Sequence, residues 1–400
     1  MKSIFFFVPL FNFLLAACFG LLLRAAFVYP SINESITYLY ILHAHSHIAL
    51  LGWLYMLVYV LFVHFFGIKN DKENRFYVRL FWVTEAAVLG MALTFPFQGY
   101  AAASITFSTL HIICSYLFGY HLWKNNRLVN KQIRLLLKTA LAFMFISTLG
   151  VWFLGPAVGM MGKTSAFYQI CIQFFLHFQF NGWFFTAFLT LIFNWFLSSK
   201  RIKYFGLFYG LWILSVVLTF GLILAWYLDI AQFYWVNAGG VTLQLLAFAV
   251  LSKNFWDVLK KRTEFGHGYI WMLLALCCFV FRILMQMITA SEVFAAQTQV
   301  VRSWIIGFIH LNMLGILTGL GFWFMIKLQK IRLNFNIKTG AFFLLTAFIA
   351  TEIILFLQGI KMLTGKVILE NDFGLLFLFS IGFPVGILFT LNSLNKKIRL

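Results

Sequence analysis

A chain of 400 residues that is 62% hydrophobic and only 10% charged, with a mean hydropathy of +0.92, has too little polar surface to close a water-soluble globule. Its net charge of +19 comes from cations that sit between apolar runs, so it calls for no nucleic acid. The partner that the composition requires is a lipid bilayer, and the 52 Phe read as lipid-facing bulk, not as an aromatic cofactor box.

Apolar runs long enough to cross a hydrocarbon core, about 20 residues each, fall in order at 4–28, 38–66, 79–99, 101–123, 135–155, 165–197, 204–226, 232–251, 268–288, 301–326, 339–360 and 373–393. They predict an all-α polytopic membrane protein with twelve transmembrane helices, folded as a single membrane domain over 1–400. The first run imitates a lipoprotein signal peptide, with Lys2 and Leu15-Ala16-Ala17-Cys18. Its apolar character continues to Val28, however, and removing it would spoil the charge pattern described next, so it is read as the first span. The third and fourth spans are separated only by the turn-like Phe95-Pro96-Phe97-Gln98-Gly99.

Lys and Arg accumulate in loops left on the cytoplasmic side. They follow the second span (Lys69, Lys72, Arg75, Arg79), the fourth (Lys124, Arg127, Lys131, Arg134, Lys138) and the sixth (Lys200, Arg201, Lys203). They also follow the eighth (Lys253, Lys260, Lys261, Arg262), the tenth (Lys327, Lys330, Arg332) and the last (Lys396, Lys397, Arg399). Even-numbered spans therefore exit into the cytoplasm, both termini lie inside, and a multi-pass protein of the cytoplasmic (inner) membrane is expected. The outer loop that departs most from this rule, 361–372, carries Lys361 and Lys366.

Three histidines share a local pattern: His47-x-x-x-x-Gly52-Trp53, His177-x-x-x-x-Gly182-Trp183 and His310-x-x-x-x-Gly315, spaced 130 and 133 residues apart. Twelve spans then divide into three repeats of four, about 1–134, 135–265 and 266–400, with the histidine on the second span of each. Each lies about 14–18 Å below the outer start of its span, at 1.5 Å per residue. An imidazole inside an apolar segment is expensive without a partner, and imidazoles that converge at one level are suited to a metal or a haem. The second span is richest. His43 and His47, four residues apart, share a helical face, while His45 points elsewhere. One can ligate iron and another can support it or hold a different metal, and two neutral imidazoles on facing helices hold a b-type haem.

Other polar groups inside the spans, Glu85, Arg282, Gln286, Glu352 and Gln358, are expected to face the interior, since a charge turned to lipid at mid-bilayer costs about 2.5–3.5 kcal/mol. Glu85 or Glu352 is a candidate proton carrier and Arg282 a candidate partner of a haem propionate; a structural ion pair serves each equally well. His111 on the fourth span is a spare ligand candidate, and His64, His121 and His267 read as interfacial. The five cysteines (Cys18, Cys114, Cys171, Cys277, Cys278) fall inside spans with no Cys-x-x-Cys spacing and read as small apolar fillers.

Twelve helices in three pseudo-threefold four-helix arcs, with histidines on spans 2, 6 and 10, resemble the catalytic subunit I of the haem-copper oxidase superfamily, including its nitric-oxide-reductase branch. The segment His45-Ser46-His47-x-x-x-Leu51-Gly52-Trp53 is similar to the helix-10 signature of some oxidase branches. The resemblance implies that His47 or His43, together with His310, holds a low-spin haem b, and that His177 faces a second site for copper or non-haem iron. It further implies an oxidoreductase in respiratory electron transport, turning over oxygen or nitric oxide. Electrons would come from quinol or a separate cytochrome donor, and accessory respiratory subunits would assist. The family's His-His pair on helix 7 has no counterpart, because 204–226 contains no histidine, and Phe308 and Asn312 stand where a His-x-His pair on helix 10 would require histidine. An incomplete copper site is therefore expected, filled at most by His177 with His111 or His45. Two other readings stay open: an NnrS-like haem and copper membrane protein of the nitric oxide response, to which His43-Ala44-His45 is similar with Ser46 in place of the acid, and a non-haem membrane transporter.

Overall fold

In the computed structural model the described residues are 3–260 and 268–394, the side chains of 254 and 256–260 excepted. Lys261, Arg262, His267, Lys396, Lys397, Arg399 and the expected repeat boundary at 265/266 lie outside them. The chain is a polytopic helical membrane protein. Twelve helices are long and apolar enough to span a bilayer: α1 Ile4–Val28, α2 Tyr38–Gly67, α3 Asp71–Gln98, α4 Ala102–Asn125, α5 Lys131–Met161, α6 Ala166–Leu197, α7 Phe205–Leu228, α8 Gln232–Lys253, α9 Tyr269–Ile288, α10 Arg302–Lys327, α11 Phe335–Thr364 and α12 Asp372–Asn392.

Each matches one expected apolar run, but α3, α5 and α11 begin four to eight residues earlier than their runs. The reason is capping. The side chains of Asn70, Asn130 and Asn334 accept hydrogen bonds from the first backbone N–H groups of these helices, which lets a helix start in polar sequence that a hydropathy count does not register.

The helices fall into two compact units: residues 1–127, 270–272 and 309–400, and residues 128–269 and 273–308. In the first unit α1 packs on α2 and α12, α3 on α4, and α11 on α12, while α10 touches α2 and α11. In the second, α5 packs on α6 and α7 on α8. The most enclosed span is α2, whose most apolar window is 83% buried against 28% for α9, so polar groups on α2 are the ones that most need protein partners.

The C-terminal end of α2 shows how such an end is closed. Arg127, just after α4, donates from Nε to Phe65 O (2.7 Å), from Nη1 to Ile68 O (3.3 Å) and from Nη2 to His64 O (2.6 Å). Its backbone N–H also donates to Phe66 O at 3.0 Å. One guanidinium thereby satisfies carbonyls that a helix C-terminus leaves without partners. Arg127→Ala is expected to cost about 1–2 kcal/mol, since charge-assisted bonds are lost but the freed carbonyls can reach water. Thermal unfolding in detergent checks this; an unchanged midpoint would show the cap to be dispensable.

Candidate functional site

The three repeat histidines share a backbone feature. The α-helical turn ends at each of them and a π-helical segment begins at the next residue: Ile48–Tyr55 after His47, Phe178–Phe184 after His177 and Leu311–Thr318 after His310. Wide turns of this kind are rare and occur mostly at functional sites. Each contains the glycine of the sequence pattern, and close packing explains two of the three. A Cβ on Gly52 would lie 2.9 Å from Val88 and 3.1 Å from Asn12, and one on Gly182 would lie 2.7 Å from the Phe143 ring.

Polar side chains serve the backbone that these segments loosen. Asn12 on α1 donates to Gly52 O (3.1 Å) and to the Glu85 carboxylate (2.9 Å). Thr318 donates to Met313 O, five residues back, at 2.8 Å, and itself accepts from Trp53 Nε1 at 2.9 Å. The last bond ties the two π segments of the first unit together and holds α2 against α10.

Histidines of that unit form two groups. In the first, His47 Nδ1 bonds to His43 O at 2.9 Å and His47 Nε2 to the Tyr100 hydroxyl at 3.1 Å. Since a carbonyl only accepts, Nδ1 carries the proton and Nε2 the lone pair. The rings of His43 and His47 both pack against Tyr100 and Phe95, with centroids 4.4–6.1 Å apart. Buried His111 sits beside Tyr55, 4.6 Å between centroids, with Nε2 enclosed and without a hydrogen-bond partner.

The second group joins α1, α2, α10 and α11. His45 Nδ1 bonds to Ala16 O at 2.8 Å, which fixes Nε2 as its lone-pair atom. Its ring lies where a Cβ on Gly20 would stand, 2.8 Å from Cε1. His310 Nδ1 faces Glu352 Oε1 at 3.8 Å, and both atoms are buried without a hydrogen-bond partner. His310 and Glu352 nevertheless keep 22% and 21% of their side-chain surface, so the accessible part of the imidazole lies away from Nδ1. Arg24 and His45 are close enough to act electrostatically on His310, and Arg24 likewise on Glu352. An Nδ1 turned to an oxygen is the arrangement in which the outer partners of metal-ligating histidines hold the ring.

His177, in the second unit, is engaged at both nitrogens. Nε2 donates to Val216 O (2.8 Å) and Nδ1 accepts from Asn181 Nδ2 (3.2 Å). Asn181 Oδ1 in turn accepts from Arg282 Nη2 at 2.6 Å. Arg282 is fully buried, its guanidinium 3.9 Å from the Phe185 ring centroid, with Nε and Nη1 unpartnered. Nothing in this chain of bonds leaves His177 a spare lone pair, so a metal there would have to displace Asn181.

Among the described residues no three His, Cys, Asp or Glu side chains are grouped as metal ligands. Glu85 is buried as expected, paired with Asn12; Gln286 accepts from Gln244 at 2.6 Å. His121 bonds to the Tyr77 hydroxyl at 3.0 Å, and none of the five cysteines is in a disulfide. Arg24, Tyr100, Asn12 and Asn181 were not among the residues singled out as site candidates. Arg24 had a visible signal, a lone cation inside the first apolar run, whereas Tyr100 had none beyond its place after a turn.

Fold and site together define a polytopic helical membrane protein with imidazoles held inside its helices. No protein-family model and no curated protein matches the chain.

Proposed function

We propose that the chain is a haem-binding redox protein of the bilayer, of haem-copper oxidase type, with its spans in three four-helix arcs and both termini on the cytoplasmic side. The observation that carries this reading is that His45 and His310, each with Nδ1 turned to an oxygen, stand on two helices held together by the Trp53–Thr318 bond. His310 would hold the haem iron from α10. His45 would hold it from α2 in preference to His43 and His47, because its Nδ1 is turned to Ala16 O while the lone pair of His47 is spent on Tyr100. A b-type haem there supplies one-electron chemistry. The protein's part is to orient: Ala16 O holds the His45 tautomer, Glu352 faces His310 Nδ1, and Arg24 adds positive charge suited to the carboxylates a haem carries.

For the second metal the residues do not fit. Copper needs about three convergent imidazoles, and His177 is bound to Val216 O and Asn181. Electron transfer through one haem, or slow reduction of nitric oxide with electrons from quinol or a cytochrome, suits the groups present better than oxygen reduction at oxidase rates. Purified protein, reduced with dithionite and mixed with oxygen or nitric oxide, is expected to show a b-type spectrum that reoxidises without rapid oxygen turnover. Fast cyanide-sensitive oxygen consumption with stoichiometric copper would contradict the incomplete-site reading, and the absence of any haem would favour a transporter.

A further inference from the structure

The first histidine group has no part in the haem proposal, yet it is held in place from several sides. His43 and His47 stand four residues apart on one face of α2, where Cβ atoms are about 5–6 Å apart, the spacing by which helical histidine pairs hold zinc. Their rings lie under Tyr100, with centroid distances of 4.6 Å and 5.7 Å. Tyr100 is fixed there by its turn. Gly99 has φ of 59°, which favours glycine, and a Cβ at that position would come 2.4 Å from the Tyr40 ring. Ser104 Oγ donates to Gly99 O at 2.6 Å and accepts from Ala101 N at 2.9 Å, closing the loop. The hydroxyl so placed bonds to the lone-pair nitrogen of His47 at 3.1 Å, while Tyr100 itself is 48% exposed. A phenol and two imidazoles thus cluster at the turn that follows α3, with the Tyr100 proton held between its oxygen and His47 Nε2.

We propose that His43, His47 and Tyr100 form a binding site for a divalent transition-metal ion, separate from the haem ligands and open to the aqueous end of α2 and α3. Imidazole suits Zn²⁺, and a phenolate oxygen adds an anionic donor. The ion takes the lone pair of His47 and the phenolate of Tyr100, and the proton they shared leaves to bulk water, so binding releases a proton and weakens as pH falls. His43, one turn earlier, completes a chelate, with solvent in any further position.

Equilibrium dialysis of the full-length, tag-free protein against Zn²⁺ tests the site. A single tight Zn²⁺ per chain is expected, bound more weakly at lower pH. His47→Ala and His43→Ala should each weaken it beyond the roughly 10–100-fold that loss of an outer-shell partner costs. Tyr100→Phe, which keeps the ring in the turn, should also weaken binding, whereas His121→Ala should not. Circular dichroism of each variant verifies that the helices are retained. If His43→Ala disturbs the fold, Tyr100→Phe and the pH dependence decide. Tight Zn²⁺ binding by a folded His43→Ala/His47→Ala variant, or no tight binding by the wild type, would overturn the site. A haem spectrum unchanged by these variants would separate this result from the haem proposal.

Discussion

Asn181→Leu is expected to lower stability by about 3 kcal/mol, because it removes a charge-assisted bond from a buried guanidinium and the donor to an imidazole in one step. Asn181 joins Arg282 Nη2 (2.6 Å) to His177 Nδ1 (3.2 Å), and Arg282 already has two unpartnered nitrogens and no accessible surface. Its remaining compensation is the face of Phe185 at 3.9 Å, an interaction worth about 2 kcal/mol when desolvated. Arg282→Met in the same background should restore much of the loss, since a buried cation without partners is worse than an apolar chain of similar length. The check is a double-mutant cycle on thermal or denaturant unfolding in detergent. Strictly additive effects would show that Asn181 does not serve Arg282.

His310→Ala and His45→Ala are expected to abolish the low-spin haem spectrum while leaving the helices inserted, and His47→Ala to leave it in place. The contrast follows from how each ring is spent. His45 and His310 each turn Nδ1 to an oxygen, Ala16 O and Glu352 Oε1 respectively, while His47 is bonded at both nitrogens, to His43 O and Tyr100. Glu352→Gln should keep the haem but shift its midpoint potential, because it alters the group facing the ligand's Nδ1 without removing a ligand. Spectra of the variants beside their circular dichroism decide between the pairs. Loss of haem in His47→Ala with retention in His45→Ala would move the ligand role to His47.

The spans were legible because hydropathy reports the one property that a bilayer selects for, and all twelve runs became helices. Helix starts were not, since Asn70, Asn130 and Asn334 extend α3, α5 and α11 into polar sequence through caps that carry no apolar signal. The histidine repeat was visible as spacing and reappears as three α-to-π transitions. The fate of each imidazole was not visible, because it depends on groups far away in sequence. Ala16 O takes His45 from 29 residues away and Val216 O takes His177 from 39. A repeat of backbone did not guarantee a repeat of side-chain chemistry: the same position carries a spent ring in His177 and an unpaired Nδ1 in His310. Helical periodicity did place His43 and His47 on one face and His45 on another, and that division separates the two groups of the first unit.

The measurement that bears most directly on the central claim is the haem content of the purified, detergent-solubilised wild-type chain, by extraction and by the reduced-minus-oxidised spectrum. A b-type haem bound stoichiometrically is expected, with a Soret band and the sharp reduced bands of a low-spin iron. Well-folded protein with no Soret band, even after expression with added haem, would contradict it.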